Sequence, residues 1–487
     1  MSWITGVGLT SFGRHEGKSS LDLMALAATA ALGDAGLTRR SVDGLVSRHG
    51  SDVVGCAQPS ERSARRIVQP IPSVLASDAT PRCASMASAD RQMICDATLV
   101  CGYATTMPHI MLATLFAEHF GVQPRYAHAV QAGGATGFAL IMLAHLVVAG
   151  GAADHVLVAA GENRLSGQTR DMTLQTLAQA GHARYEVPLG ATVPAYYGLV
   201  ASRYMHEFST TERDLAELAV LMRRHAGSHP GAQLRAALTV DDVLASPPVA
   251  LPLKRMDCCP ISDGAAAFII SREPLSAHSL RIIGTAQRHS HQHVSAAADL
   301  VSRHRSDVVG CAQPSERSAR RIAQPIPSVL ASDATPRCAS MASADRQMIG
   351  DATLAHYGAK DAMARAMTQA GVDLRDVGYA AIYDSFTITL AILLEEIGLC
   401  ARGQAGQAAA AGRFSADGEL PLNTHGGLLS YGHCGVAGAL AHLAEAHLQM
   451  TRRAGARQIA REPAVAMLHG DGGIMSSHIS LILERTR

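Results

Sequence analysis

Strands that alternate with helices along the whole chain, in a pattern that occurs twice, predict an α/β protein built from two copies of one architecture. Three observations carry this reading. The segments HVLVAAGEN (155–163), AAAFIIS (265–271) and HISLILE (478–484) read as buried strands. Two Ala-rich helical stretches, LDLMALAATAALGDAGL and AKDAMARAMTQAGV, each end in Ala-Gly and lead through a polar link into a strand. Gly36 and Gly371 stand where helix C-terminal glycines belong. Finally, Gly134-Ala-Thr-Gly137 and Gly435-Val-Ala-Gly438 each open an apolar helix. Glycines there let the backbone approach a ligand, and a helix N-terminus offers free N–H groups to an anion.

The chain has 487 residues, enough for two or three domains' worth of core. With 48% hydrophobic and 17% charged residues it is globular rather than disordered. Aromatics are only 4%, while Ala and Gly abound, which favours close helix–sheet packing. A net charge of +1 gives no footprint for nucleic acid or an acidic membrane. The most apolar stretch, 137–152, contains His145 and is too short to span a bilayer. The opening MSWITGVGLTSFGRHEG lacks a secretory pattern. Ten irregularly spaced cysteines read as reduced thiols of a cytoplasmic protein.

One segment occurs twice. Residues 46–99 return at 301–354 with three differences: Gly50/Arg305, Val68/Ala323 and Cys95/Gly350. Identity this high marks a recent duplication, not an ancient structural repeat, which would keep pattern and lose identity. The segment is rich in Ser, Arg, Ala and Pro and contains no Lys, Phe, Tyr or Trp. That composition suits a surface excursion rather than a core, and without aromatic anchors it makes a poor partner-binding arm. Without both copies 379 residues remain. Cys56, Cys83, Cys95, Cys311 and Cys338 belong to the copies and are set aside as catalytic candidates. The stretch CGYATTMPHIMLATLFAEHFG after the first copy reads as an amphipathic helix.

Four blocks, three of them containing glycine, then come in a telling order: Ser262-Asp-Gly-Ala-Ala-Ala267, Tyr383-Asp-Ser-Phe-Thr387, the run 423–438 (NTHGGLLSYGHCGVAG), and Leu468-His-Gly-Asp-Gly-Gly473. Together they resemble the thiolase superfamily, and the YDSFT, SYGH and HGxGG forms resemble its lipid-transfer-protein, aldolase-like branch. The resemblance covers the chain apart from the two copies. It implies the duplicated thiolase fold, layered αβαβα with two mixed sheets. The halves are then 1–275, interrupted by 46–99, and 276–487, interrupted by 301–354.

The departures from that family carry the chemistry. Thiolases attack an acyl-CoA with a cysteine at a helix N-terminus; the matching position here is Gly134, which has no nucleophile. The second thiolase cysteine corresponds to His469. The resemblance then implies retro-aldol cleavage of a β-hydroxyacyl-CoA. Tyr383 and Tyr431 match the two tyrosines thought to act as acid and base, and His433 matches the histidine that holds the thioester oxygen. His469 would assist proton transfer, and Gly134, Gly426, Gly427 and Gly472 would line the substrate site. Retro-aldol cleavage needs a base on the β-hydroxyl and stabilisation of an enolate, but no covalent nucleophile.

Each residue also has a plainer reading. Tyr383 ends an apolar strand and fits a hydrogen-bonded core tyrosine. Tyr431 and His433 sit in a Gly-rich loop, and His469 could cap a turn. Asp384 reads as a local cap or pair, and Cys434, where the family has Pro, as a tolerated substitution. Cys258-Cys259 lack zinc spacing, and His289, His291 and His293 read as a polar strand end or loop, so no metal is expected. No bound cofactor is expected, coenzyme A entering as the substrate's thioester. The resemblance implies a homodimer built through a sheet edge and a small OB-fold, zinc-ribbon partner. Three other readings stay open: an acyltransferase that uses another residue, a non-catalytic CoA- or lipid-binding subunit, and a copy that the two inserted segments have made inactive.

Overall fold

The computed structural model describes residues 1–37, 98–122, 124–184, 186–294 and 357–486. The duplicated segment therefore lies outside the described residues, apart from Thr98 and Leu99 at the end of its first copy; the strand expected after the first Ala-rich helix, at SVDGLV (41–46), lies outside them too.

In chain order the first half supplies β1 (Ser2–Leu9), α1 (Ser20–Asp34), β2 (Thr98–Gly102), α2 (Leu112–Phe120), β3 (Tyr126–Val130), α3 (Thr136–Ala149) and β4 (His155–Asn163). The two longest helices of the stretch that follows are α4 (Val193–Phe208) and α5 (Glu212–Gly227), and then come a small ribbon of β5 (Pro248–Ala250) and β6 (Leu253–Lys254), and β7 (Asp263–Ser271). The second half supplies β8 (Leu280–His289), α6 (Ala359–Ala370), β9 (Val377–Ile382), α7 (Thr387–Ile397), α8 (Gly438–Met450), β10 (Val465–Gly472) and β11 (Ser477–Glu484).

The large sheet has nine strands in the order β3-β2-β4-β7-β1-β8-β11-β10-β9. Its two mixed runs meet where β1 and β8 pair antiparallel over three residues, Ser2 with Ile282 through Ile4 with Leu280. Parallel pairing is confined to β2 with its two neighbours and to β9 with β10. The rest is antiparallel, because the last strand of each half returns beside the first.

Strand β4 shows why its sequence reads as one apolar run. Leu157 and Ala159 face a core formed with α1 and α2, while Val156, Val158 and Ala160 face the core around α3 and α8. Both faces are covered, so alternation vanishes. Helices α3 and α8 lie in the middle of the molecule and touch directly: a side chain on Gly137 would stand 2.8 Å from Leu440 Cγ. Helix α1 begins with a capping box in which Ser19 and Asp22 exchange hydrogen bonds. Gly36 adopts φ +76° past its end, and Gly371 adopts φ +69° after α6, as expected of C-terminal glycines.

One expectation is corrected. The stretch CGYATTMPHIMLATLFAEHFG is not helical throughout. Its Cys-Gly completes β2, and only Leu112–Phe120 is helical, buried through Leu112, Ala113, Phe116, Ala117 and Phe120. Pro108 bars helix at the residue before it.

A candidate active site between the two central helices

The site forms where the loop before α3 meets residues from the opposite half. Strand β9 ends at Ile382, and the Tyr383 amide donates to the His469 carbonyl at 2.9 Å, which carries Tyr383 off the end of the ladder. Asn423 fixes this corner: its side-chain oxygen accepts from Ile382 N at 2.9 Å and its amide donates to Ile382 O at 2.7 Å. The Tyr383 hydroxyl then lies 2.7 Å from His433 Nε2.

Gly134 faces that hydroxyl. A Cβ built on Gly134 would stand 2.0 Å from the Tyr383 hydroxyl and 2.6 Å from the Asp471 carbonyl. No side chain fits at position 134 while Tyr383 holds this place.

The tautomer of His433 follows from its neighbours. The Gly435 amide donates to Nδ1 at 3.0 Å, so the proton of the neutral ring sits on Nε2. His433 therefore donates to the Tyr383 oxygen, and the tyrosine's own proton stays available. Burial, with the Arg164 charge adding to it, presses the His433 pKa down to about 3, so the ring is neutral. Burial likewise lifts Tyr383 well above the usual phenol value, with Cys259 and Asp471 adding and Arg164 opposing. The pair rests as neutral imidazole and neutral phenol.

An ion pair backs the site from the first half. Arg164 Nε lies 2.6 Å from Glu162 Oε2, and Glu162 Oε1 accepts from the Thr105 amide at 2.6 Å and hydroxyl at 2.9 Å. Gly435, at φ +66°, passes directly over this carboxylate: a Cβ there would stand 1.9 Å from Glu162 Oε2.

The other sequence candidates are placed differently. Tyr431 is 1% exposed, its ring packed against Phe12, His229 and His425, and its hydroxyl points to the Thr10 carbonyl at 3.5 Å. Burial raises its pKa. His469 presents its main chain to Tyr383, but its ring bonds Ser480 Oγ at 2.8 Å and His478 Nδ1 at 3.2 Å. The structure thus joins Tyr383 with His433, while Tyr431 and His469 have partners elsewhere. Gly426 and Gly427 adopt φ +107° and +60°. Side chains there would strike Ala226 and Asp384, and one at Gly472 would strike the Ala132 carbonyl. Loop packing alone requires glycine at all three.

Asp384 is a local cap, accepting from Leu428 N at 2.7 Å and pairing with His442 at 3.3 Å. Cys434 is fully buried, and burial with Glu162 raises its thiol well above the usual value, which leaves it protonated. Cys258 is pushed up to about 12. His289 sits at the end of β8, bonded to Ser477 Oγ at 2.7 Å. Among the described residues no group of His, Cys, Asp or Glu could hold a metal, and no helix is long and apolar enough to cross a membrane.

Sequence reasoning passed over Asp471 and the Tyr197 that binds it at 2.9 Å. The available signal was an acid inside VAMLHGDG, a strand that opens on four apolar residues, since a buried acid without a cation is rare.

Residues 340–485 match the family model described as thiolase C-terminal domain-like. The acetyl-CoA acetyltransferase of Methanothermobacter thermautotrophicus is 28% identical over 373 residues, which cover 76% of this chain and 83% of that protein. The steroid side-chain-cleaving aldolase of Thermomonospora curvata is 27% identical over 449 residues, 90% of this chain and 88% of that one. Among solved structures, the Ltp2-ChsH2(DUF35) aldolase superposes with a TM-score of 0.67 at 22% identity, covering 99% of this chain and 97% of that chain.

Proposed function

Because the chain belongs to the thiolase superfamily, in its lipid-transfer-protein, aldolase-like branch, and so is a thiolase-like acyl-CoA enzyme, we propose that it cleaves a β-hydroxyacyl-CoA by a retro-aldol reaction without a covalent acyl-enzyme. One observation carries this reading: the Tyr383 hydroxyl occupies the space of the side chain that Gly134 lacks. Where family members hold a nucleophile, this chain holds a proton donor.

The residues fit the parts the reaction needs. Removal of the β-hydroxyl proton lets the Cα–Cβ bond break, the hydroxyl carbon becoming a carbonyl and the electron pair passing to the thioester as an enolate. A hydrogen bond to the thioester oxygen stabilises that charge where it develops, the part we assign to His433 Nε2–H. Tyr383, protonated at rest, gives its proton to Cα. Tyr431 is kept as the second proton-transfer candidate, in the adjoining wall. His469 is assigned to holding β10 behind Tyr383. Gly134, Gly426, Gly427 and Gly472 let the loops close around an acyl-CoA.

The acyl group is proposed to be a lipid or steroid side chain, after the aldolase relative. Strand β3 is the open edge of the large sheet, and three of its five residues are exposed, which supports a homodimer through that edge. A small OB-fold, zinc-ribbon partner is proposed by analogy with the two-component aldolase. The described cysteines are free thiols, in keeping with work in the cytoplasm.

The test incubates the purified protein, alone and with such a partner, with β-hydroxyacyl- and β-ketoacyl-CoA thioesters, and follows products and protein by mass spectrometry. A carbonyl product plus a shortened acyl-CoA, with no protein adduct, supports the proposal. CoA-dependent thiolysis with an acyl adduct on a cysteine would overturn it in favour of acyl transfer. Saturable CoA binding without turnover would leave a binding subunit.

A further inference from the structure

Both tyrosines of the candidate site are protonated at rest, so the reaction proposed above still lacks a base. The imidazoles around them differ in what they can accept. His433 and His229, both kept neutral by burial, each receive an amide at Nδ1, from Gly435 and Gly231 at 3.0 Å. Their own protons therefore sit on Nε2, and they can only donate there. His425 and His442 are not committed in this way. They are 1% and 0% exposed. Neither nitrogen of His425 has a hydrogen-bond partner among the described residues, and nor does Nδ1 of His442. Burial, with His442, His229 and Arg457 adding to it, holds the His425 pKa well below the usual value. That ring is neutral, and its lone pair is free.

The two rings lie between the tyrosines. His442 is 6.4 Å from the Tyr383 ring and 4.8 Å from the His425 ring, and His425 stands edge-on to Tyr431 at 5.3 Å. His442 projects from α8 one turn after Gly438, where a Cβ would stand 3.8 Å from His433 Nε2. Its own Nε2 lies 3.3 Å from Asp384 Oδ1. Asp384 follows Tyr383 in the chain, and its two oxygens accept from Leu428 N at 2.7 Å and Leu429 N at 3.4 Å. Donors on both oxygens favour the ionised form. Burial raises the Asp384 pKa, and His442 and the two amides oppose this.

A buried polar side chain without partners costs stability and is uncommon away from functional sites. Resting on the retro-aldol reading, we propose that His442, paired with Asp384 and reached through His425, is the base that serves both tyrosines. None of the three touches the substrate. The step balances. Tyr431 takes the β-hydroxyl proton and gives its own to His425, which passes one on to His442. The Cα–Cβ pair becomes the enolate, and Tyr383 protonates Cα. Tyr383 is then a phenolate and His442 an imidazolium facing the Asp384 carboxylate. One proton from His442 to Tyr383 restores both, and a half-turn of the His425 ring, which no hydrogen bond holds, restores its tautomer. No oxidant, metal or further reactant is required. The surrounding charges favour this direction. His225 on α5, His229 after it and Arg457 after α8 oppose a proton resting on His425, while Asp384 draws it to His442. Glu445, paired with Arg457, and Cys434 act on Tyr431, and Cys259, Asp471 and Arg164 act on Tyr383.

The test compares wild type, His425→Leu, His442→Leu and Asp384→Asn on 3-hydroxybutyryl-CoA and 3-hydroxy-3-methylbutyryl-CoA from pH 5 to 10. His425→Leu removes no hydrogen bond, so its melting temperature should hold or rise. Its kcat should fall about 30-fold, with KM changed less than about threefold. His442→Leu should lose at least as much and should lose the acidic limb of the profile. Asp384→Asn should move that limb to lower pH, because the imidazolium loses its counter-charge. In parallel, NMR follows the ring nitrogens of His425 and His442 in histidine-labelled protein, in wild type, Tyr383→Phe and Tyr431→Phe. Each tyrosine variant keeps the ring and removes only the hydroxyl. The His425 resonances should shift in Tyr431→Phe and those of His442 in Tyr383→Phe. A His425→Leu or His442→Leu enzyme with wild-type kcat and pH limb overturns the proposal. If wild type cleaves neither thioester, the retro-aldol reading fails for these substrates and the nitrogen resonances decide the link by themselves. Shifts in both variants keep the link between the tyrosines, and resonances that do not move overturn it.

Discussion

Helices α3 and α8 begin in the same way, with a glycine whose missing side chain is replaced by a group from the opposite half of the molecule. Gly134 of the first half is met by Tyr383 of the second, and Gly435 of the second by Glu162 of the first. The two fillings differ in what remains free. Glu162 is held by two hydrogen bonds from Thr105 to one oxygen and an ion pair with Arg164 at the other. Tyr383 accepts one bond from His433 and keeps its proton uncommitted. Two equivalent crossings have thus become a brace at one end and a phenol with an uncommitted proton at the other. Equivalent position in a duplicated fold does not imply equivalent chemistry, and the free valences of the filling group tell the two apart.

The largest test of this contrast is Tyr383→Phe. It should lower kcat for carbon–carbon cleavage by about 100- to 1,000-fold, as loss of a positioned proton donor does. Stability should fall by only about 1 kcal/mol, as for one lost hydrogen bond. Product analysis beside urea denaturation checks both, and retention of more than a tenth of the rate would remove Tyr383 from the chemistry.

Gly435→Ala should act the opposite way. It meets a fixed carboxylate at φ +66°, so a loss of about 3 kcal/mol is expected. Gly134→Ala meets the tip of a tyrosine and the Asp471 carbonyl but carries no positive φ, so it should unfold at higher urea than Gly435→Ala, while losing more activity per kcal/mol of stability lost. Equal urea midpoints for the two would erase the distinction between brace and donor.

The pH dependence sharpens it further. His433 has its pKa depressed in the fold to about 3, against about 6.5 unfolded. The fold excludes the charged ring, so this contribution is complete above pH 6.5 and is lost as pH falls from there toward 3. At pH 5 the loss is about 2 kcal/mol. Replacing His433 by Asn should flatten the stability profile over that window by a similar amount, and an unchanged slope would show that the ring is not held neutral.

The smallest effect is expected at Ser480→Ala, which removes the donor to His469 Nδ1. About 1 kcal/mol of stability should go, with cleavage altered less than threefold. A large loss of rate there would return the His469 ring to the chemistry.

The α/β class, the duplication and the helix-opening glycines were legible because each has a local cause: covered strands read as unbroken apolar runs, and left-handed ends demand glycine. The extent of α2 was not, since Pro108 and the pairing of Cys101 with β3 and β4 override an apolar period that looks helical. Within the site, Tyr383 and His433 stood out because their motifs are contiguous. Asp471 and Tyr197 lie 274 residues apart and meet only through the fold. Tyr431 and His469 occur in the same motifs as their neighbours, yet which way a side chain leaves a loop or strand is decided by packing that sequence does not display.

The encounter between Gly134 and Tyr383 also constrains descent. A nucleophile at position 134 and the ring at 383 cannot coexist in this geometry, because they claim one volume. Neither change is helpful first: a new cysteine collides with the phenol, and loss of the phenol leaves a glycine with nothing to react. Covalent chemistry at position 134 and the non-covalent cleavage proposed for this chain are therefore separated by two coupled substitutions with an impaired intermediate between them. Ancestors that crossed from one to the other should carry small residues at both positions.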